Sequence, residues 1–232
     1  MTGPADPADP AGAAPGDAPG DPLRRLVAVM DRLRSPGGCP WDAEQTHESL
    51  VPYVLEEAYE VAEAVEHGDR ANLREELGDL LLQVVFHARI AEEHPDDPFD
   101  VDDVAADLVA KLVRRHPHVF AGAQVEDADG VHRQWEQIKR AEKQRSSVLD
   151  GVPLALGALA RAQKVASRAA RAGLDVPAPA GDGLGDRLLA LVLEARASGL
   201  DAEGELRRAA GGWEARLRAA EAGPAPGPAS GS

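Results

Sequence analysis

Residues 73–93 read LREELGDLLLQVVFHARIAEE, and the fold turns on how this stretch is covered. Leu77, Leu80, Leu81, Leu82, Val84, Val85, Phe86 and Ile90 surround the axis of a helix almost completely, which predicts a helix buried on every side. Within this apolar cylinder stand Glu76 and Asp79, three residues apart and therefore on one face. Unpaired charge on a buried helix is costly, so these two acids need a compensating partner. The preceding helical pattern carries Glu56-Glu57-Ala58-Tyr59-Glu60, in which Glu57 and Glu60 are likewise three apart. Four carboxylates on consecutive helices suit hard cations, and magnesium takes oxygen ligands and completes its shell with water and phosphate. A purely structural account also fits the spacing: acids near a helix N-terminus complement the macrodipole, and those of the preceding helix face solvent. The apolar surroundings of Glu76 and Asp79 favour the metal. A di-iron bundle would need two Glu-x-x-His pairs, and the chain offers Glu44-Gln45-Thr46-His47 alone.

Working outward, the sequence predicts an all-α protein, a helical bundle. The first helix spans Leu23 to Arg34, with Leu26, Val29, Met30 and Leu33 at helical spacing, and Ser35-Pro36-Gly37-Gly38 stops it. Cys39-Pro40-Trp41-Asp42 reads as a turn. A second helix starts near Glu48, carries Pro52 in its first turn and ends at Gly68. Asp69 caps the third, Leu73 to Glu93, before His94-Pro95. Asp100 caps the fourth, with Asp103 three residues on, and it runs to His116. Further helices are expected over 129–144, 154–172, 184–198 and 201–221, with short connections that suit antiparallel neighbours. Residues 1–21 and 222–232 are mostly Pro, Ala, Gly, Asp and Ser, with no large apolar residue after Met1, and read as disordered tails.

Composition narrows the function. Aromatic residues make up 3% of the 232, which favours close-packed helices over a sandwich. The formal charge is −15, so a broad nucleic-acid surface is not expected. No apolar run reaches the ~18 residues of a membrane span, and no basic-then-apolar leader precedes the first helix. Cys39 is the only cysteine. These features predict a cytoplasmic protein. Against the acidic background, Lys111, Arg114 and Arg115 lie within one turn of each other, a group able to hold phosphate oxygens or to complement a helix C-terminus. Trp135 suits a core position or a stacked base, with Lys139 one turn further on. His116 and His118 flank Pro117, but no second pair of suitable spacing makes them a zinc site.

Five stretches, CPWDAEQT (39–46), LEEAYEV (55–61), ELGDLLLQVVFHA (76–88), KLVRRHPHVF (111–120) and WEQIK (135–139), together resemble the MazG-type nucleoside triphosphate pyrophosphohydrolases of the all-α pyrophosphatase group. The resemblance covers about residues 22–172. It implies a bundle that dimerises and holds Mg²⁺, with Mn²⁺ as a substitute, on Glu57, Glu60, Glu76 and Asp79. Glu56 would be an additional ligand or would orient the attacking water. The family's basic and aromatic substrate positions fall on Lys111, Arg114, Arg115, Trp135 and Lys139. The implied reaction converts NTP or dNTP and water to the monophosphate and diphosphate, with broad specificity or a house-cleaning role on non-standard nucleotides. A second copy of the chain and the triphosphate are the expected partners. The competing reading is a non-catalytic helical dimer that binds nucleotides or regulates; intact acidic pairs favour the enzyme.

The remainder resembles a worn second copy. Residues 77–89 (LGDLLLQVVFHAR) align without a gap with 184–196 (LGDRLLALVLEAR). Gly183 stands where Glu76 would be, and Val176-Pro177-Ala178-Pro179-Ala180-Gly181 stands where an acidic helix would be. Aligning Lys111–Arg115 with Gly212–Arg216 shows the lysine and one arginine lost. Residues 173–221 are therefore expected to form a degenerate helical module without a metal site.

Overall fold

The computed structural model describes residues 21–123, 127, 130–131, 134–135, 138, 146–174, 176–177 and 181–221. Among them the regular structure is helical throughout, without a strand. The expected helix over 129–144 and Lys139 lie largely or wholly outside the described residues. None of the described helices is long and apolar enough to cross a membrane.

The chain forms two compact units, Met1–Val131 and His132–Ser232. In the first, α1 (Pro22–Arg34) begins with a proline at its first position, and the Asp21 carboxylate accepts a hydrogen bond from the Leu23 amide at 3.1 Å. The segment expected to be a turn is instead a one-turn helix, α2 (Pro40–Glu44), because Pro40 is preset for the helical φ. Helix α3 (His47–His67) starts on a capping box in which Thr46 and Ser49 exchange side chain to backbone hydrogen bonds. That box fixes the start one residue earlier than expected, and Pro52 lies in the second turn instead of the first.

Gly68 ends α3 at φ 68°, a left-handed conformation that costs glycine nothing. Asp69 follows at once as the cap of α4 (Arg70–Ala91), its carboxylate accepting from the Ala71 and Asn72 amides at 3.0 Å. A two-residue link leaves the helices no option but to lie antiparallel and in contact. Helix α5 (Val101–Arg115) begins on an Asp100–Asp103 capping box, as expected, and a short α6 (Pro117–Phe120) follows.

The core of this unit lies where α1, α3 and α4 meet: Met30, Leu50, Val85 and Phe86 are buried, with Leu26, Val27, Leu81, Leu82, Ile90 and Val101 packed against them. Arg34, its side chain 7% exposed, ties the layers together. Its guanidinium donates to both carboxylate oxygens of Glu93 at 2.8 Å and to the carbonyls of Asp42 and Gln45 at 2.6 and 3.0 Å. It thereby caps α2 and fixes α2 to the end of α4. The expectation that α4 is buried on every side is not met within one chain. Leu77 and Val84, seven residues apart on one face, are 50% and 43% exposed, because α1, α3 and α5 cover only the opposite side.

The second unit packs α7 (Ala158–Arg171), α8 (Leu184–Ala197) and α9 (Ala202–Glu221) around Val192. Helix α7 starts at Ala158 rather than 154, since turns occupy 147–156 and Gly157 forms the cap. Gln163 joins α7 to the start of α9: its Oε1 accepts from the Ala202 amide at 2.7 Å and its Nε2 donates to the Leu200 carbonyl at 3.2 Å. Helix α7, whose residues are half-buried or exposed, packs against α8 and α9 within this unit.

Candidate metal centre

The Gly68–Asp69 link sets the register of the carboxylates. Glu60 stands eight residues before Gly68 and Glu76 seven after Asp69; Glu57 stands eleven before and Asp79 ten after. Arms that differ by one residue in each case bring the two pairs close to level across the α3–α4 seam. Ligand oxygens of Glu57, Glu76 and Asp79 accordingly converge to within 4.8 Å of one another, the one such group of three or more His, Cys, Asp or Glu among the described residues.

Electrostatics draws Glu60 into the same group. Burial, a hydrogen bond that the Glu57 carboxyl donates to Glu60, and the charges of Asp79, Glu60 and Glu76 raise the Glu57 pKa. Burial and the charges of Glu60, Asp79 and Glu75, together with a hydrogen bond to Glu60, raise that of Glu76. Glu76 is only 9% exposed, so its charge has little water to screen it. Four mutually repelling carboxylates, two of them holding protons above their ordinary range, form a site that a divalent cation would relieve. The donor set is oxygen only, which fits a hard cation and not a thiol- or imidazole-seeking one.

The structure thus brings Glu57, Glu60, Glu76 and Asp79 together. Glu56 is exposed and is not one of the residues whose oxygens converge. Lys111, Arg114 and Arg115 occupy the last two turns of α5, Lys111 and Arg114 exposed and Arg115 half-buried. Trp135, half-buried, belongs to the second unit. In that unit Asp186, the counterpart of Asp79, lies against its own preceding loop: a Cβ on Gly181 would fall 2.2 Å from its Oδ2.

Three features of the seam escape a reading of acids and bases alone. His47 and His87 bring their Nδ1 atoms to 2.8 Å, with ring planes 4° apart and centroids 5.1 Å apart. The centroids are separated by the Nδ1 distance plus about one ring width, so the rings meet edge to edge, one Nδ1 donating and the other accepting. Burial and the neighbouring imidazole lower the His87 pKa. Trp41, half exposed, meets Tyr53 and Phe86 edge-on at 6.1 and 6.4 Å. Gln83, 6% exposed, carries an Oε1 with no hydrogen-bond partner. The sequence signal for Gln83 was present: it is the polar interruption in the apolar run, four residues beyond Asp79.

An all-helical domain whose central antiparallel pair presents converging carboxylates defines a class of helical acidic-site proteins. Residues 45–120, which include every carboxylate of the cluster, match the MazG nucleotide pyrophosphohydrolase domain. The chain is 53% identical to an uncharacterized 26.1 kDa protein of Streptomyces cacaoi, over 88% of this chain and 85% of that one. It is 50% identical to the nucleoside triphosphate pyrophosphohydrolase of Escherichia coli K12, over 66% of this chain and 59% of that one. It is 48% identical to the protein of that name from Mycobacterium tuberculosis, over 90% of this chain and 61% of that one. The chain belongs to the MazG family. It spans about three fifths of the length of these two named relatives.

The raised acids carry a sign. A carboxyl whose folded pKa exceeds its unfolded value stabilises the fold below the unfolded pKa, and that contribution is lost as pH rises through the folded one. In chelator, the protein should lose stability as pH rises from about 4.3 through the raised values of Glu57 and Glu76. Glu60→Gln removes a repelling charge from both and should flatten this dependence, as urea midpoints at stepped pH would show. Identical profiles for variant and wild type would mean that the carboxylates do not interact.

Proposed function

We propose that this protein hydrolyses nucleoside triphosphates to the monophosphate and diphosphate, with Mg²⁺, or Mn²⁺ in its place, held by Glu57, Glu60, Glu76 and Asp79. The observation that carries this reading is the convergence of acidic oxygens across the α3–α4 seam in a MazG domain. The names of the Escherichia coli and Mycobacterium tuberculosis relatives support the reaction. The cation when bound offsets phosphate charge and lowers the pKa of water. The chain's own part is to hold the acids on two rigid helices at one level, so that little reorganisation accompanies the reaction. Water attacks the α-phosphorus, the bond to the bridging oxygen breaks, and diphosphate leaves. Glu56 orients the attacking water or adds a ligand. Lys111, Arg114 and Arg115 bind phosphate oxygens, and Trp135 and Lys139 complete the substrate contacts.

Two features extend the reading. Leu77 and Val84 on α4, with Val51, Leu55 and Tyr59 at every fourth position of α3, leave an apolar surface that a second copy would cover, and the protein acts as a homodimer. Residues 173–221 serve as a degenerate packing module, consistent with the loss of the glutamate at Gly183. A cytoplasmic setting, broad or house-cleaning specificity, and the absence of a nucleic-acid or membrane partner complete the proposal.

Glu57→Gln and Asp79→Asn should each lower Mg²⁺-dependent diphosphate release about a hundredfold or more while the fold persists. Near-normal turnover by either well-folded variant, or a nucleotide bound without hydrolysis, would overturn the catalytic assignment. For the basic group, Arg114→Ala should raise KM or lower kcat at unchanged Tm; a lower Tm with unchanged kinetics would make it a helix-terminal charge. Light scattering at micromolar concentration should give twice the chain mass, and an active monomer would exclude the dimer.

A further inference from the structure

Counted as whole residues, Glu76 and Gln83 are the two buried polar positions among the described residues, and both belong to α4. Gln83 is 6% exposed, with its Oε1 covered and without a donor. At about 100° per residue, Gln83 falls between Glu76 and Asp79 in azimuth, and it lies about 6 Å beyond Asp79 along the axis. The register that levels Glu57 with Asp79 sets Gln83 level with Tyr53, one turn before Glu57, and sets Phe86 level with Leu50. Gln83 therefore occupies the one turn of seam between the carboxylates and the apolar core of Met30, Leu50, Val85 and Phe86.

An apolar side chain of the same length would fill that turn without leaving a buried acceptor unsatisfied, and a buried carbonyl oxygen without a donor is destabilising. The compensation has to arise when the site is loaded. Ionised carboxylates that hold a cation, and triphosphate oxygens, only accept hydrogen bonds, so in the loaded site neither can satisfy Oε1. Water can, and water is also the nucleophile that hydrolysis requires. We propose that Gln83 is a positioning residue: its amide oxygen accepts a hydrogen bond from a water held at the carboxylate site and turns that water's lone pair toward the phosphorus. The amide takes no proton; it fixes an orientation from a rigid helix, where misplacement by an ångström is expensive. This inference rests on the hydrolytic reading above.

The test compares wild type with Gln83→Met, which keeps length and removes both polar atoms, and with Gln83→Leu as a second apolar variant. Tm is measured in chelator and with saturating Mn²⁺, alongside kcat and KM. In chelator the variants should melt at or above the wild-type Tm, because the orphan oxygen is gone. The rise in Tm produced by Mn²⁺ should be smaller than in wild type, because the loaded state has lost a hydrogen bond. Turnover should fall on the order of tenfold or more, with KM little changed. An unchanged kcat with an unchanged Mn²⁺ shift would overturn the proposal. So would a lower Tm in chelator for both variants, or loss of the fold in both, since Gln83 would then be stabilising the unloaded protein. Should wild type itself show neither a Mn²⁺ shift nor hydrolysis, the underlying reading fails; should it show both and Gln83→Met match it, only the role of Gln83 fails.

Discussion

The structure of the first unit depends on one unfavourable interaction: four carboxylates held level across the α3–α4 seam. Like charges this close, one of them 9% exposed, destabilise the protein without a cation, and the fold tolerates the arrangement because the helices have little freedom to separate. The two-residue link at Gly68–Asp69 allows no splaying at one end. At the other end the seam is closed by apolar contact between α1, α3 and α4 and by the His47–His87 hydrogen bond. The acids are therefore clamped between a turn and a core, which gives a site preorganised for positive charge.

The layer outside this seam works by hydrogen bonding to backbone. Arg34 reaches two carbonyls of the Asp42–Gln45 segment and both oxygens of Glu93, so one guanidinium joins three elements. Its burial is compatible with its charge because all of these partners are acceptors. Helix α2, too short to stand alone, is held by this contact and presents Trp41 against Tyr53 and Phe86. Arg168 plays a similar part in the second unit, donating to the Asp150 carbonyl at 2.6 Å and pinning the turn before α7. The repeat relation between 77–89 and 184–196 preserves an apolar helix, while Asp186 has become a neighbour of Gly181.

Sequence reading located α1, α3, α4, α5, α8 and α9 closely, because capping residues and apolar periodicity act within a few residues of chain. Asp21, Thr46, Asp69 and Asp100 each satisfy amides of the turn they begin. The misreadings were equally local. Pro40 starts a helix where proline and cysteine suggested a turn, and Pro52 lies in the second turn of α3 instead of the first. Where α7 packs was not legible, since that depends on which distant helices offer it an apolar face.

The sequence by itself determined the helices, the pairing of acids three residues apart, and the tight link that makes α3 and α4 antiparallel; all follow from short-range sterics and hydrogen bonding. Tertiary structure decided which groups meet. Convergence of Glu57, Glu76 and Asp79 to within 4.8 Å needs the register of two helices, and the exposure of Leu77 and Val84 depends on how many neighbours α4 has. The orphaned oxygen of Gln83 and the facing imidazoles of His47 and His87 are likewise properties of packing. Periodicity assigns a residue to a face, but the solvation of that face is set by the elements that come to lie on it.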